Sequence, residues 1–271
     1  MFTPVKAKDQ LFRKYLKSFG HPAKIRMQNL LGRSFLSKGI LFKNTDDTFF
    51  LLNANDWITR IFLLEGDYES GSTKLAKKIM AQGGVFVDAG ANFGLFTCQV
   101  AHNNKKVQVL AIEPNYKIIA SLLKNIELNN LQQQVKVINM AVSDKMQFVS
   151  MLQPAADNIG TTQTVAGINE GLLVLSSSLA YILEEVKIKE VALLKIDIEG
   201  NEFSILKHFP FESICIKNVI IEFNHLSTVP LKTLCNFFAE KGYLSRTIHG
   251  DPLGVNDTVI PENNIWFYLD K

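Results

Sequence analysis

The sequence has few cysteines and no long apolar run, and both absences narrow its class. Its 271 residues include only three cysteines, Cys98, Cys215 and Cys235, whose wide spacing fits neither a disulfide framework nor a zinc site. No segment approaches the roughly 18 consecutive apolar residues of a membrane span. The N-terminus also lacks the apolar core of a signal peptide. We therefore expect a reduced, cytoplasmic protein.

A recognisable metal-binding pattern is missing as well. The histidines form no pair at the i, i+4 spacing of helical metal ligands. The carboxylates of Asp197, Glu199 and Glu222 could bind magnesium together, but no spacing among them requires it. We therefore predict no metal.

Basic residues are unevenly distributed along the chain. Residues 1–43 contain ten lysines and arginines against Asp9 alone, whereas residues 44–271 contain 19 basic and 25 acidic residues. A basic segment of this kind suits an anionic ligand, nucleic acid or a peripheral position at a membrane surface, or it is simply a solvated helical face. We predict that residues 1–64 form a basic, partly helical N-terminal extension and that residues 65–271 form the main domain.

From residue 85 onward, apolar runs alternate with helix-like segments. The strand candidates are Val85–Asp88, Val107–Ile112, Val135–Met140, Val191–Asp197, Val219–Phe223, Tyr243–Ile248 and Ile265–Leu269. The helix candidates between them are Gly94–His102, Tyr116–Asn129, Glu202–Lys207 and Leu231–Lys241. This alternation predicts a mostly parallel sheet with helices on both faces, and the last two strands predict an antiparallel hairpin at its edge. Such a seven-stranded α/β sheet is the Rossmann-like fold of class I methyltransferases.

The remaining segments give shorter predictions. Residues 11–19, 24–37, 57–64 and 73–80 have helical patterns, and residues 41–52 resemble a hairpin. The interval 141–190 is longer than a crossover connection needs and should hold structure that faces the substrate.

The segment Val85–Gly94, VFVDAGANFG, combines a buried strand, a turn of small residues and the start of a helix. This arrangement brings backbone N–H groups close to a ligand at the end of a strand. It departs from the dinucleotide fingerprint G-x-G-x-x-G, because Asp88 replaces the first glycine and Phe93 the third. A carboxylate at Asp88 repels a pyrophosphate but attracts a cation, such as the aminopropyl and sulfonium part of S-adenosylmethionine. The turn therefore favours a sulfonium donor over a dinucleotide.

Glu113 ends the second predicted strand, 23 residues after Gly90. An acid at this place can accept hydrogen bonds from both ribose hydroxyls of a nucleoside. NAD and S-adenosylmethionine both carry such a ribose, so Glu113 predicts a nucleoside without choosing between them. The alternative is a solvent-exposed acid at a strand end.

The segment Leu193–Gly200, LLKIDIEG, places three charges at the end of a strand that should be buried. Lys195, Asp197 and Glu199 share one face of an extended strand, and ligands bind beyond the carboxyl ends of such strands. We expect Asp197 to contact or deprotonate an acceptor hydroxyl and Glu199 to share that role or hold a cation. Lys195 would orient a carboxylate or lower an acceptor pKa. A structural ion-pair cluster is the alternative.

The following strand ends near Glu222 and His225, which should reach the same edge of the sheet. His225 is a candidate base near neutral pH, although a lone histidine is more often structural. Nucleobase amino-methylating enzymes usually carry a Pro-Pro-aromatic sequence after the fourth strand, where this chain has Asp197–Gly200. This difference favours an oxygen acceptor.

In these motifs the sequence resembles the FkbM-type methyltransferases. The shared segments follow the family's order over about residues 65–225: GDYE (Gly66–Glu69), VDAGANFG, AIEPN, Asn125 with Leu128 and Asn129, NMAVSD (Asn139–Asp144), KIDIEGNE and IEFNH. The resemblance implies S-adenosylmethionine as the donor and usually a hydroxyl acceptor, often on a sugar, a polyketide or another secondary metabolite. Residues 1–60 lie outside the resemblance.

The resemblance also implies roles for individual residues. Those implied for binding the donor are Glu69, Asp88, Gly90, Asn92, Gly94, Glu113, Asn139 and Ala141. Among them, Asp88, Gly90 and Asn92 would line the methionine part, Glu113 the ribose, and Asn139 and Ala141 the adenine. Tyr68 and Glu69 would close over donor or acceptor, and Asp197 and Glu199 match the family's acidic pair.

The leading hypothesis is an S-adenosylmethionine-dependent O-methyltransferase that acts on a hydroxyl of a glycan or natural product. The alternatives are a nicotinamide-dependent oxidoreductase, a non-catalytic S-adenosylmethionine-binding protein and a nucleic-acid methyltransferase. Asp88 argues against the first, and the intact charges at Lys195, Asp197 and Glu199 argue against the second. Aromatic residues for base stacking are sparse in the basic segment, which argues against the third.

Overall fold

The computed structural model describes residues 40–44, 46–52, 68–152, 163–166, 171–254 and 260–270. These residues belong to two compact units, one with the residues up to Tyr68 and one with those from Glu69 onward. The predicted helices at 11–19, 24–37 and 57–64 lie outside the described residues. None of the helices within these ranges has the length and apolar character needed to cross a membrane.

The first unit contains an antiparallel hairpin of β1 (Ile40–Lys43) and β2 (Phe49–Leu52). Asn44 shapes its turn, because the side-chain oxygen accepts hydrogen bonds from the backbone N–H groups of Asp46 (3.0 Å) and Thr48 (2.9 Å). The hairpin prediction is confirmed.

The second unit alternates strands and helices. Its strands are β3 (Gly84–Ala89), β4 (Val107–Ile112), β5 (Val135–Ile138), β6 (Ala141–Ser143), β7 (Gln147–Leu152), β8 (Gln163–Ala166), β9 (Leu172–Ser178), β10 (Glu190–Val191), β11 (Leu193–Ile196), β12 (Cys215–Ile216), β13 (Asn218–Glu222), β14 (Tyr243–Thr247) and β15 (Asn264–Leu269). Its α-helices are α1 (Ser70–Ile79), α2 (Leu95–Ala101), α3 (Tyr116–Leu128), α4 (Leu179–Glu185), α5 (Glu202–Leu206) and α6 (Leu231–Glu240).

Seven of these strands form the main sheet, in the order β14-β15-β13-β11-β3-β4-β5. All neighbours from β13 to β5 pair in parallel, whereas β15 runs antiparallel to both β13 and β14. The predicted seven-stranded, mostly parallel sheet with an antiparallel hairpin at one edge is confirmed. The third predicted strand is shorter than expected, because β5 ends at Ile138 and the chain then enters β6 of a second sheet.

The two faces of the main sheet are buried in different ways. On one face, alternate apolar residues of the strands pack in a common core with residues of α4, α5 and α6. On the other face, Phe86, Asp88 and Lys195 are buried, and α2 covers them through Phe96 and Thr97. Because side chains alternate along a strand, this second face can carry polar residues without interrupting the apolar core.

The interval 141–190 holds a four-stranded sheet in the order β6-β9-β7-β8, followed by α4. β6 and β9 are parallel, and β7 is antiparallel to β9 and β8. The interval thus contains more structure than a simple crossover, and its predicted role facing the substrate stays a prediction.

Aromatic rings fill the core between α6 and the edge hairpin. Phe238 is fully buried and stacks on Phe267, with 4.0 Å between ring centroids. The edge of Tyr243 meets the Phe238 ring, with centroids 5.4 Å apart. This contact fixes the hairpin against α6.

We expect Phe238→Ala to lower the free energy of unfolding by about 3–5 kcal/mol, because it removes a large side chain from a close-packed core. Phe148→Ala is the matched control, since Phe148 is 59% exposed and its loss should change stability by less than about 0.5 kcal/mol. Urea unfolding followed by circular dichroism measures both. Equal losses in the two variants would contradict this account of the core.

Candidate functional site

The register of the main sheet aligns polar residues across five strands at one edge. The last paired residues of β4, β3, β11 and β13 lie side by side. The residues that follow them along these four strands are Glu113, Gly90, Asp197 and Glu222, respectively, and they continue the line. Asn264 of β15 pairs with Glu222 and completes it. We call these five residues the rim row. By strand alternation it lies on the face that carries Asp88 and Lys195.

Gly90 occupies the narrowest point of the rim row. Its φ is +88°, and a Cβ atom there would lie 1.8 Å from the backbone oxygen of Asp197. Its N–H donates to the backbone oxygen of Ile112 in β4 (2.9 Å), and the N–H of Asp197 donates to the backbone oxygen of Ala89 in β3 (3.0 Å). The ends of three strands therefore meet at a position that only glycine fits.

Gly94, a predicted donor-binding residue, has a packing role as well. It precedes α2 with φ +89°, and a Cβ atom would meet Leu122 of α3 at 2.6 Å. A larger residue would push α2 away from α3.

Asp88 is buried beneath the turn, with 2% of its surface exposed. Its Oδ2 accepts hydrogen bonds from the backbone N–H (3.0 Å) and the hydroxyl (2.6 Å) of Thr97 in α2. Burial raises the pKa of the Asp88 carboxyl, while these two bonds oppose the rise. Asp88 thus fixes the start of α2 and holds acidic character below the glycine turn.

Glu113 is bound by the backbone on both sides of its carboxyl group. Oε2 accepts the N–H of Asn92 (2.9 Å) and Oε1 that of Asn115 (2.8 Å), and Asn92 adopts a left-handed φ of 51°. Burial raises the pKa of Glu113 to about 7, although both hydrogen bonds lower it. Since each carboxylate oxygen has two acceptor positions, Glu113 retains capacity for two ligand hydroxyls.

Asn139 and Ala141 follow β5 but have different surroundings. The Asn139 amide donates to the backbone oxygens of Glu113 (2.8 Å) and Pro114 (2.9 Å), and its side chain is exposed. Ala141 is buried and pairs with Ser176 in the second sheet. Asn139 therefore lies next to Glu113, whereas Ala141 contributes backbone to β6.

Lys195, which is buried, and Asp197, which is partly exposed, form an ion pair at the end of β11. Nζ of Lys195 lies 2.8 Å from Oδ2 of Asp197 and 4.6 Å from the ring centre of Phe96. Burial alone would lower the pKa of Lys195, but the charges of Asp197 and Glu69 raise it above its usual value. Burial would raise the pKa of Asp197, but Lys195 holds it below its usual value. Both side chains are therefore charged at neutral pH.

Glu222 shares a hydrogen bond with Asp197. Burial and the charge of Asp197 raise the pKa of Glu222 to about 9, so Glu222 is protonated at neutral pH and donates to Asp197. Oxygens of Asp197, Glu202 and Glu222 lie within 4.8 Å of one another. The positive charge of Lys195 offsets the negative charge of Asp197. Glu202 accepts hydrogen bonds from the backbone N–H groups of Ile198 and Gly200, so both acids already have partners within the protein. The expectation of a metal-free site stays a prediction.

Glu199 has a left-handed φ of 61° and is partly exposed. Burial and the charges of Asp197 and Glu202 raise its pKa to about 7, and Lys195 opposes the rise. Glu199 is thus an acid next to Asp197 that changes charge near neutral pH.

Glu69 lies at the opposite end of the site from Glu113. Its Oε2 accepts the amide of Asn264 (3.2 Å). Burial raises its pKa to about 7, Lys195 lowers it and Asp197 raises it. Glu69 was assigned to the donor from sequence, but the charged groups that act on it are Lys195, Asp197 and Glu262. Glu69 therefore lies at the Asn264 end of the rim row, and its assignment to the donor stays a prediction.

His225 is exposed in the turn after β13. Asn224 shapes this turn by accepting the N–H of Leu226 (2.8 Å). No hydrogen bond or ion pair joins His225 to another residue in the described ranges, so nothing there orients its imidazole. Its role as a base stays a prediction.

The structure adds three residues that sequence reasoning missed. Thr97 binds Asp88, Glu202 binds the backbone after β11, and Asn264 binds Glu69. Glu202 could have been found, because an acid just after a glycine turn commonly accepts local N–H groups. Asn264 left no local signal, since its partners Glu69 and Glu222 are distant in sequence.

A family model described as the methyltransferase FkbM domain matches residues 88–245, which is more than half of the chain. The match spans the whole rim row except Asn264, and it excludes Glu69. Among proteins of curated function, no sequence matches the chain.

Several solved structures are similar to this chain at low identity. The human methyltransferase 10 domain containing protein is 12% identical, with 90% of this chain and 95% of that chain covered and a TM-score of 0.49. TrmK of M. capricolum, solved with S-adenosyl-homocysteine, is 18% identical, with 75% of this chain and 72% of that chain covered and a TM-score of 0.43. TYW2 of M. jannaschii, solved with AdoMet, is 17% identical, with 86% and 87% covered and a TM-score of 0.44.

We expect Gly90→Ala to destabilise the protein by clearly more than the about 1–2 kcal/mol that a left-handed alanine costs, because its Cβ would also collide with Asp197. Gly250→Ala is the control, since Gly250 has a φ of +91° and open space around its Cβ position. Thermal and urea unfolding of both variants measure the difference. Equal destabilisation would show that backbone strain alone explains the glycine.

Proposed function

Because the chain belongs to the FkbM methyltransferase family, we propose that it transfers the methyl group of S-adenosylmethionine to a hydroxyl oxygen of a sugar, glycan or other natural product. The observation that carries this proposal is the rim row. Glu113 lies on one side of Gly90, and Asp197 and Glu222 lie on the other. A donor and an acceptor can therefore bind side by side across the glycine turn.

The donor half comprises the ends of β3 and β4. S-adenosylmethionine supplies an electrophilic methyl group on a sulfonium centre. Glu113 fits its ribose because both carboxylate oxygens retain acceptor capacity, and Asp88 gives the turn the acidic character that suits a cationic donor. The turn at Gly90 and Asn92 would hold the methionine part, and Asn139 would lie near the adenine.

The acceptor half comprises the ends of β11 and β13. Asp197 stays ionised beside Lys195, so it can accept a hydrogen bond from a hydroxyl and orient its oxygen. Its low pKa makes it a weak base. Glu199, with a pKa of about 7, is better matched to remove the hydroxyl proton at neutral pH. We therefore assign orientation to Asp197 and proton removal to Glu199.

The reaction requires a proton acceptor and an aligned oxygen. The hydroxyl oxygen forms a bond to the methyl carbon while the carbon–sulfur bond breaks, and the hydroxyl proton passes to the Glu199 carboxylate. S-adenosylhomocysteine and the methyl ether are the products. Alignment of the hydroxyl oxygen by Asp197 should raise the rate of methyl transfer strongly, because small displacements of the reacting atoms lower a reaction rate by large factors.

We expect S-adenosylhomocysteine to bind more tightly as pH rises through the Glu113 pKa of about 7, because the ionised carboxyl accepts both ribose hydroxyls. Below that pKa the affinity should fall by up to about tenfold per pH unit. Glu113→Gln should bind more weakly and lose this slope, whereas the exposed Glu127→Gln should behave as wild type. Calorimetry measures all three. Binding of NAD in place of S-adenosylhomocysteine would reject the donor assignment.

The pH dependence of kcat/KM for methyl transfer distinguishes the roles of Glu199 and Asp197, because its acidic limb reports the pKa of the base. With saturating donor and an acceptor found by mass gain of one methyl group, kcat/KM should rise with pH through about 7. Glu199→Gln should lose this limb and about 10²–10⁴ in rate. Asp197→Asn should keep the limb but lose about 10² in rate, with unchanged affinity for S-adenosylhomocysteine. A limb that disappears only in Asp197→Asn would reverse the two roles.

A further inference from the structure

Asn264 is the buried end of the rim row. It is the first residue of β15, pairs with Glu222 of β13 and is 0% exposed. Since directly paired residues of antiparallel strands project to the same face, its side chain shares the face of Glu222 and Asp197.

The orientation of the Asn264 amide is fixed by its partners. Nδ2 donates to Oε2 of Glu69 (3.2 Å) and to the backbone oxygen of Glu262 (2.9 Å). Both partners are acceptors, so the nitrogen cannot exchange places with the oxygen. Oδ1 is then left buried without a hydrogen-bond partner.

An unpaired buried carbonyl oxygen is costly and uncommon in folded proteins. Asn218, at the other end of β13, shows the usual arrangement. Its Nδ2 donates to Ala192 (2.9 Å) and its Oδ1 accepts the indole N–H of Trp266 (3.0 Å). Among the two asparagines at the ends of this strand pair, Asn264 alone therefore has an unpaired side-chain oxygen, and it lies at the rim-row end.

The groups around Asn264 need hydrogen-bond donors. Glu69 and Asp197 interact electrostatically with each other and with Lys195, and Glu222 already gives its proton to Asp197. Glu69, Asp197 and Glu222 are each partly exposed, so a ligand can reach the side chains next to the buried amide. Since Lys195 already compensates Asp197, a neutral ligand with several hydroxyl groups fits this surface better than a further cation.

We propose, on the basis of the function proposed above, that Asn264 binds a second hydroxyl group of the methyl acceptor. One hydroxyl lies at Asp197 for methylation, and another donates to Oδ1 of Asn264 beside Glu69. The acceptor is then a polyhydroxylated molecule such as a sugar or a cyclic polyol, and a simple alcohol with one hydroxyl is a poor substrate. Asn264 is thus a specificity-determining residue.

NMR of the full chain tests this before the acceptor is identified. Protein labelled with ¹⁵N-asparagine is saturated with S-adenosylhomocysteine, and the Asn264 side-chain signals are identified by their loss in Asn264→Leu. Methyl glucoside, methyl mannoside, methyl galactoside, myo-inositol and cyclohexanol are then titrated separately. We expect at least one polyol, but not cyclohexanol, to shift the Asn264 amide signals. No shift with any polyol at its highest soluble concentration would overturn the proposal.

Kinetics give a second test with a matched control. For a polyol acceptor, Asn264→Leu should raise KM by about 5- to 50-fold, as expected for a buried hydroxyl left unpaired, and should leave KM unchanged for the analogue lacking the second hydroxyl. Asn218→Leu should leave both KM values unchanged while removing an equivalent amide. Equal effects on both acceptors would overturn the role of Asn264 but not methyl transfer. Transfer to no hydroxyl compound, with S-adenosylhomocysteine still bound, would instead reject the proposed function.

Discussion

The ion pair of Lys195 and Asp197 is the interaction on which the charged end of the sheet depends. A buried ammonium group is tolerated only with a close partner, because removal of either charge would leave the other unpaired in a poorly solvated place. Burial is the main cause of the raised pKa values of Glu69, Glu199 and Glu222, and the charge of Asp197 adds to each rise while Lys195 opposes it. The partly buried carboxyls around the ion pair therefore hold their protons more tightly than exposed acids do.

Strand alternation explains how this charge is accommodated. One face of the main sheet packs a continuous apolar core against three helices, so the other face can carry Asp88, Lys195 and the rim row without breaking that core. Gly90 then lets β3 and β11 approach so closely that Glu113 and Asp197 lie on either side of one glycine. The proposed donor and acceptor sites therefore depend on the register of four parallel strands.

Much of the fold could be predicted from the sequence, because the strands are apolar runs separated by recognisable turns and helices. All seven strands of the main sheet were predicted, but boundaries differ: Asn139 and Met140 leave the sheet after Ile138, and the predicted strand Val191–Asp197 is divided between β10, which pairs with β12, and β11, which ends at Ile196. Asp88, Glu113 and Asp197 were identifiable because each follows or ends such a run. The pairing of Glu69 with Asn264 was not, because 195 residues separate them and Asn264 lies in no local pattern.

The sequence alone determined the strand–helix alternation, the glycine turn with its acid, and the charged end of the fourth strand, since local periodicity and residue type specify each of these. The tertiary structure decided which acids share a proton, which carry a charge and which lie at the Asn264 end of the rim row. These properties depend on burial and on distances of a few ångströms between strands. For that reason Glu69 is found beside Asn264 and near Lys195 and Asp197, and Asn264 joins the rim row only once β15 is placed beside β13.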